Sequence, residues 1–187
     1  HFLVFLALSS LHSSQSMALP LSIETQAQLM PKLIGYSHEK TFLENLKSVN
    51  HRHRSIVDDR LDKLEAQWQT ESKLDVQTLY SQILESPISE YLKTISEQSE
   101  GLYPDIVVFD KKGLVIGMTL NVEHYVGQHD DRFHTTWSLG PNGVYVSEPT
   151  FSVFADKPLT YICLTIEDYA LNRQGVIAFG VDTSKLN

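Results

Sequence analysis

Apolar residues recur with a helical spacing through the first half of the chain. Between residues 37 and 70 they stand three or four positions apart, or at multiples of a heptad, as on one buried helix face. The stripe passes through Leu43, Leu46, Val57, Leu61, Leu64 and Trp68, with the polar Asn50 at one of its positions. This stripe predicts one long helix over 37–70, and two further helices are predicted near 75–85 and 87–99.

The second half of the chain changes to a period of two. Its segments are rich in Val, Ile, Thr and aromatic residues and are bounded by turn residues, which is typical of strands. The predicted strands are 105–110, 113–121, 143–151, 159–167 and 175–182. Because most connections are short, neighbouring strands are expected to be antiparallel. The pattern predicts an α+β domain with helices packed on one face of a five-stranded antiparallel sheet.

One connection, residues 122–142, is much longer than the others and carries Tyr, Arg, Phe, His and Trp side chains. A connection of this length in a compact domain is more often a binding loop than a passive link. The strand that follows places Tyr145 and Ser147 on the same face, because alternate side chains of a strand share a face. The two observations together predict a small-molecule pocket under the 122–142 segment.

The first 18 residues differ from the rest of the chain. An apolar run is followed by small and polar residues, with Ser16 and Ala18 at the −3 and −1 positions of a cleavage site. This is the pattern of a secretory signal peptide that lacks its charged start, and a periplasmic or extracellular location follows. The alternative to a signal peptide is that these 18 residues form an amphipathic helix or a helix in the core. Residues 19–36 are treated as an N-terminal segment, and 37–187 as a single domain.

Composition and charge narrow the classes of function. The chain has 187 residues, 42% of them hydrophobic, which is ordinary for a globular protein. Its formal net charge of −8 does not favour binding to the phosphate backbone of nucleic acids. The single cysteine, Cys163, lies in an apolar strand and is expected to be a buried, inert thiol. No nucleophile motif is present, and neither an enzyme activity nor a cofactor is predicted.

The order of elements resembles the extracellular Cache (PDC, PAS-like) sensor domains, of the single-Cache type, over residues 37–187. The resemblance rests on the predicted long helix, then "LYPDIVVFDKKGLVIG", the aromatic-rich segment, "GVYVSEP" and "LTIEDYALNRQGVIAFGVDTSKL". It implies a PAS-like fold that binds a small metabolite between the sheet and the segment above it, and that signals by conformational change. It also implies a membrane-receptor partner, with the domain either free-standing or part of a larger receptor.

The resemblance also implies which residues hold the ligand. They are Tyr125, Arg132, Tyr145 and Asp168; the candidate ligand-binding residues also include His134, Ser147 and, as an apolar wall of the predicted pocket, Trp137. His134 stands where the amino-acid-binding branch of the family has Trp, and Ser147 where it has Asp. The expected ligand is therefore a small carboxylate held by Arg132, or an amino acid if Asp168 binds the ammonium group.

Several alternatives remain open from the sequence. Arg132 can instead form a surface ion pair with Asp130 or Asp131, which directly precede it. The histidines of the segment, His124, His129 and His134, are five residues apart, which is not a zinc-binding spacing, so no metal is predicted. The whole domain can also be a structural module that has lost its ligand and forms a homodimer through the long helix.

Overall fold

The computed structural model describes residues 20–71 and 78–186, so the predicted signal peptide at 1–18 lies outside the described residues. Within them the helices are α1 Ile23–Ser37, α2 Lys40–His53, α3 Asp58–Glu71, α4 Thr78–Leu84, α5 Pro87–Gln98 and α6 Asp131–Ser138. The strands are β1 Asp105–Asp110, β2 Val115–Met118, β3 Val144–Val146, β4 Thr150–Ser152, β5 Lys157–Glu167 and β6 Arg173–Val181. Short 3-10 turns span Gly127–His129 and Thr183–Lys185. Helices come first and antiparallel strands second, so the predicted α+β class is confirmed.

The single long helix predicted over 37–70 is wrong, because the chain breaks between His53 and Asp58. Leu43 and Leu46 pack in the core on one face of the sheet, whereas Leu61 packs in the core on the other. One straight helix cannot place its two halves on opposite faces. The spacing of the stripe continues across the break, and this continuity misled the prediction.

A further helix, α1, lies in the N-terminal segment to which the sequence pattern gave no structure. Ser22 caps it, because its side chain accepts a hydrogen bond from the backbone N–H of Thr25. Pro31 lies inside the helix, and the fully buried Leu33 packs with the core that includes α2 and α5. No helix among the described residues has both the length and the apolar character needed to cross a bilayer.

The sheet is covered by helices on both faces, which corrects the predicted single covered face. Along β1, Ile106 and Val108 belong to the core beneath α1, α2 and α5, while Val107 and Phe109 belong to the core beneath α3 and α6. Successive strand residues point to opposite faces, so an uninterrupted apolar run is expected for a strand that is covered twice. Burial on both sides explains why β1, β5 and β6 are apolar at nearly every position.

The strand order is β2-β1-β6-β5-β3, all antiparallel, and β4 pairs separately with β5. The sheet has six strands rather than five, because the predicted 143–151 strand is interrupted between Val146 and Thr150. Pro149 lies in that gap and has no N–H to donate to a ladder.

The 122–142 connection contains helix α6 rather than an open loop. Asp130 begins the helix as its N-cap, accepting from the backbone N–H of Arg132. Phe133 anchors the helix to the sheet, with its ring 5.5 Å from that of Phe109. The connection is therefore packed on the face that carries the candidate site.

Candidate ligand-binding site

A cavity of about 380 Å³ lies between the start of α6 and the strands β3, β4 and β5. We call it the α6 cavity. Its polar and charged lining is Asp105, Asn121, Glu123, His124, His129, Asp130, Asp131, Arg132, Tyr145, Ser147, Thr150, Ser152 and Tyr161. Its apolar lining is Val122, Phe151, Val153 and Phe154.

Arg132 lies at the inner wall of this cavity, with 17% of its side chain exposed. Its Nη2 and Nε donate to Asp130 Oδ2 at 2.6 Å and Asp130 Oδ1 at 2.9 Å, which makes a bidentate pair. The sequence alternative of an Arg132–Asp130 ion pair is therefore realised, but in a largely buried position rather than on the surface. The guanidinium carbon is also 4.8 Å from the centre of the Tyr161 ring.

The Nη1 group of Arg132 is differently placed. It is 3.7 Å from Asp105 Oδ2, close enough for an ion pair, and it makes no hydrogen bond within the described part of the chain. Burial alone lowers the pKa of Arg132, but hydrogen bonding to Asp130 and the charges of Asp130 and Asp105 outweigh it and raise the pKa. The guanidinium is thus permanently charged, and one of its donor groups remains available in the cavity.

Asp105 is the most deeply buried carboxylate of the site. Its Oδ2 accepts a hydrogen bond of 2.6 Å from the Tyr161 hydroxyl, whereas its buried Oδ1 has no hydrogen-bond partner among the described residues. Burial raises the pKa of Asp105, against the opposing effects of the Arg132 charge and the Tyr161 hydrogen bond. An unpartnered buried carboxylate oxygen is costly, and a ligand donor would remove that cost.

Gly180 explains how Tyr161 can reach Asp105 across the sheet. In the strand register Gly180 of β6 lies opposite both Asp105 on β1 and Tyr161 on β5. A Cβ atom on Gly180 would lie 3.0 Å from Tyr161 Cε1 and 2.9 Å from Leu159 Cδ1. The missing side chain therefore makes room for the tyrosine ring between the two strands.

Tyr145 and Ser147 both line the α6 cavity, as their shared strand face predicts. The Tyr145 hydroxyl makes no hydrogen bond to another described residue, and burial raises its pKa. Ser147 is largely occupied, because its Oγ accepts from the backbone N–H of Tyr161 at 2.9 Å and donates to the carbonyl of Glu148 at 2.8 Å. The Tyr145 hydroxyl can therefore both donate a hydrogen bond to a ligand and accept one from it, whereas Ser147 Oγ can only accept one more.

Three of the other predicted site residues lie outside the cavity lining. Tyr125 is buried in the core and stacks on Trp68 with ring centres 5.6 Å apart. Trp137 faces the sheet side of α6, where the Arg173 guanidinium lies 4.0 Å above its ring. His134 is exposed on α6.

The remaining predicted residue, Asp168, lies at the turn between β5 and β6, where it lines a different cleft. Its Oδ2 is 3.3 Å from Lys47 Nζ and accepts from Gln174 Nε2 at 2.9 Å. The backbone N–H of Asn172 and the Lys47 ammonium hold the pKa of Asp168 at about 2. The structure thus brings Arg132, Tyr145 and Ser147 together and leaves Asp168 elsewhere.

Asp105, Asp130 and Tyr161 are cavity residues that the sequence reasoning missed. The alternation along 105–110 places Asp105 on the face of Val107 and Phe109, beneath the aromatic segment, and this signal was available. Asp130 was weighed only as a surface partner of Arg132. Nothing in the sequence pairs Tyr161 with Asp105, since their contact depends on the register of three strands.

The two cavity histidines belong to a local acidic network. His124 Nδ1 lies 3.0 Å from Glu65 Oε1, and its ring centre is 5.6 Å from that of His129. Across residues 20–71 and 78–186, no three His, Cys, Asp or Glu side chains are grouped as a metal ion would require.

Comparison with known proteins gives structural neighbours only. No family model and no curated protein matches the chain. Similar solved structures include the ligand-binding domain of the Campylobacter jejuni chemoreceptor Tlp3 in complex with L-valine, with 12% identity, a TM-score of 0.43, and 89% of this chain and 66% of that chain covered. The extracellular domain of the putative histidine kinase vpHK1S-Z8 is similar with 18% identity and a TM-score of 0.45, and the match covers 79% of this chain and 63% of that chain.

The sensor domain of the V. cholerae histidine kinase DctB is also similar, with 19% identity and a TM-score of 0.38, and the match covers 78% of this chain and 57% of that one. The chain spans less than two thirds of the length of each of these three domains. The three are the ligand-binding domain of a chemoreceptor and the extracellular or sensor domains of two histidine kinases. Because the identities and TM-scores are low, the function is argued from the geometry of the site.

Proposed function

We propose that this chain is an extracytoplasmic sensor domain that binds an amino acid, or a related small amine, in the α6 cavity. The observation that carries the proposal is that Asp105, whose buried Oδ1 lacks a partner within the described residues, lines the same cavity as Arg132, whose Nη1 makes no hydrogen bond there. An ammonium group can donate a hydrogen bond to Asp105 Oδ1, and a carboxylate can accept one from Arg132 Nη1. The ammonium and carboxylate groups of an α-amino acid lie close enough together to bind both residues at once.

The charge of the cavity favours an amine over a simple acid. Four carboxylates (Asp105, Glu123, Asp130, Asp131) and one guanidinium line it, which gives a formal charge of −3 with neutral histidines. A ligand with only a carboxylate would enter against this negative charge, whereas a cationic group is attracted to it. The role that the resemblance gave to Asp168 therefore passes to Asp105 in this proposal.

The apolar lining gives the ligand side chain a place to bind. Phe151, Val153 and Phe154 are 57%, 77% and 45% exposed, and they stand together at the mouth of the cavity. A cavity of about 380 Å³ lies within the usual range for small-molecule sites, roughly 300–1,000 Å³. An apolar side chain would cover this rim while the charged end of the ligand points inward.

Signalling would follow from movement of this rim. β4 is a three-residue strand that pairs only with the first residues of β5, so the β4–β5 hairpin lies at an edge of the sheet where the cavity wall can move. A ligand that contacts the hairpin and α6 together would favour a closed arrangement, and a membrane-receptor partner would read the shift in population. Removal of a signal peptide at 1–18 and an extracytoplasmic location are part of the proposal.

The first test is a thermal-shift screen of the amino acids and of the matched acids that lack the amino group. A ligand that binds only the folded state raises the apparent stability by an amount that grows with the logarithm of the ratio of its concentration to its Kd. We expect amino acids to stabilise the protein and the deaminated acids to have little effect. Stabilisation by the acids alone would contradict the assignment of an ammonium site.

The screen is sharpened by Asp105→Asn, which keeps the size of the side chain and the acceptor for Tyr161. We expect the amino-acid affinity to fall by roughly 30-fold or more, because a buried charge pair is lost. The control is Glu90→Gln, an exposed residue of α5, which makes the same change of net charge on the opposite face of the sheet from the cavity. Equal affinities of the two variants would contradict the proposed role of Asp105.

The alternative of a ligand-free module that dimerises through a long helix has lost its main support. The stripe on which it relied is divided between α2 and α3, and Leu46 and Trp68 are already buried in the two cores. A nucleophilic role for Cys163 is likewise unsupported, because complete burial raises the pKa of its thiol to about 12.

A further inference from the structure

A second cleft lies at the opposite end of the sheet from the mouth of the α6 cavity. It has a volume of about 600 Å³ and is enclosed by the end of α2, the β1–β2 turn and the β5–β6 turn. Its lining is Lys47, Asn50, His51, His53, Arg54, Lys111, Lys112, Asp168 and Gln174. We call it the basic cleft.

The basic cleft concentrates positive charge in an acidic protein. Four of the chain's 15 lysine and arginine residues line it, together with two histidines and one carboxylate. The chain as a whole has a formal charge of −8. Bringing like charges together is unfavourable unless an opposite charge compensates them, so the arrangement calls for an anion.

The protein itself supplies only part of that compensation. Asp168 is matched with Lys47, and Asp110, which lies beneath the cleft, is matched with His53 at 2.7 Å. Among the described residues, no carboxylate forms a salt bridge with Arg54 or Lys111. These two side chains therefore remain available to an anion from solution.

The walls of the basic cleft are held in place by hydrogen bonds between side chains and backbone groups. Asn50 joins all three elements, because its Nδ2 donates to the Gln174 carbonyl at 2.8 Å and its Oδ1 accepts from the Lys111 N–H at 3.0 Å. Lys112 Nζ donates to the Ile56 carbonyl at 2.5 Å and fixes the turn against the α2–α3 link. The fold thus sets the backbone positions from which the cationic side chains line the cleft.

We propose that the basic cleft binds an anion that carries a phosphate group. A phosphate ester has a charge of about −1.5 to −2 near neutral pH and three acceptor oxygens, which several cations can share. Arg54 can meet two of those oxygens with its planar fork of donors, while the lysines act as point charges. A single carboxylate would leave most of the cationic groups uncompensated.

The same phosphate chemistry can come from a soluble metabolite or from a lipid headgroup at a membrane surface. Inorganic pyrophosphate tests the first source by calorimetry. Sedimentation with phosphatidylcholine vesicles, with and without phosphatidic acid, tests the second. Binding of either phosphate probe supports the site. Binding of pyrophosphate identifies a soluble metabolite as the source of the phosphate, and binding to vesicles that contain phosphatidic acid identifies a lipid headgroup. Absence of binding to both would overturn the proposal.

The decisive variant is the pair Arg54→Ala and Lys111→Ala, made together. Its matched control is Lys40→Ala with Lys93→Ala, which removes two exposed lysines on other surfaces of α2 and α5. We expect the cleft variant to bind the phosphate probe at least about tenfold more weakly, and the control variant to bind within about twofold of the wild type. Equal weakening of both would show a general charge effect and overturn the assignment.

Circular dichroism and thermal unfolding of both variants establish that each is folded. Should the double variant prove unstable, Lys111→Gln alone provides the same comparison with less disturbance. Binding at the basic cleft is measured without an amino acid present, so its outcome is independent of the proposed ligand of the α6 cavity.

Discussion

The two clefts of this domain differ in whether their charged side chains are buried and paired or exposed and unpaired. In the α6 cavity, Arg132 is buried and paired with Asp130 and Asp105, and few ligating atoms remain without partners. In the basic cleft, Arg54 and Lys111 are more exposed and have no carboxylate partner among the described residues. Buried, paired charges interact at short range and in fixed geometry, whereas exposed charges act at longer range and are screened. The comparison indicates a selective site at one end and an electrostatic site at the other.

The largest expected difference between the two clefts is in the cost of losing an arginine. Arg132→Ala leaves two buried carboxylates without their cation and should destabilise the protein by about 3–5 kcal/mol. Arg54→Ala removes an exposed side chain and should change the free energy of unfolding by no more than about 0.5 kcal/mol. Urea denaturation of the two variants measures both values, and similar values would remove the distinction between the clefts.

The next difference is in the response to salt. Between about 0.1 M and about 1 M sodium chloride the screening length falls from about 10 Å to about 3 Å. Pyrophosphate affinity at the basic cleft should fall by more than about tenfold over this range, and amino-acid affinity at the α6 cavity by less than about threefold. Calorimetry at the two salt concentrations measures both. Parallel losses would mean that both ligands bind by exposed charge alone.

The pH dependence of amino-acid binding should also reflect the burial of Asp105. Only the ionised form of Asp105 attracts an ammonium group, and burial raises its pKa. Affinity should therefore decline as the pH falls, and the decline should begin above the usual pKa of an aspartate. In Asp105→Asn the residual binding should lack this decline. A wild-type profile that stays flat to pH 4 would contradict the role of Asp105.

The smallest expected effect comes from Asp168, the one carboxylate that lines the basic cleft. Asp168→Asn frees Lys47 and should strengthen pyrophosphate binding by roughly threefold. Amino-acid affinity should not change, because Asp168 lies outside the α6 cavity lining. Calorimetry with each ligand tests both statements, and a loss of amino-acid affinity would return Asp168 to the position that the family resemblance gave it.

The elements of the fold were largely predictable, because helix and strand periods are local properties of the sequence. The 105–110 strand has the same bounds in the structure as in the prediction. The path of the chain was not predictable in the same way. The stripe from Leu43 to Trp68 keeps its spacing across the break, so periodicity alone cannot show that its two halves pack on opposite faces of the sheet.

The site was predictable only as far as single strands and one segment determine it. Tyr145 and Ser147 face the cavity because they alternate along one strand, and Arg132 lies there because its segment covers the sheet. Asp105 and Tyr161 meet through the register of β1, β6 and β5, with Gly180 making room between them. Such a contact depends on residues 56 positions apart, and the sequence alone does not show which strands are neighbours.

The account depends most directly on the contact between Asp105 and a ligand ammonium group. A thermodynamic cycle isolates it: the amino acid with the strongest effect in the screen and the same acid without its amino group, each titrated into the wild type and into Asp105→Asn. We predict that the amino group strengthens binding to the wild type by about 2 kcal/mol or more, and that most of this gain disappears in the variant. An amino group that contributes equally in both proteins would contradict the account.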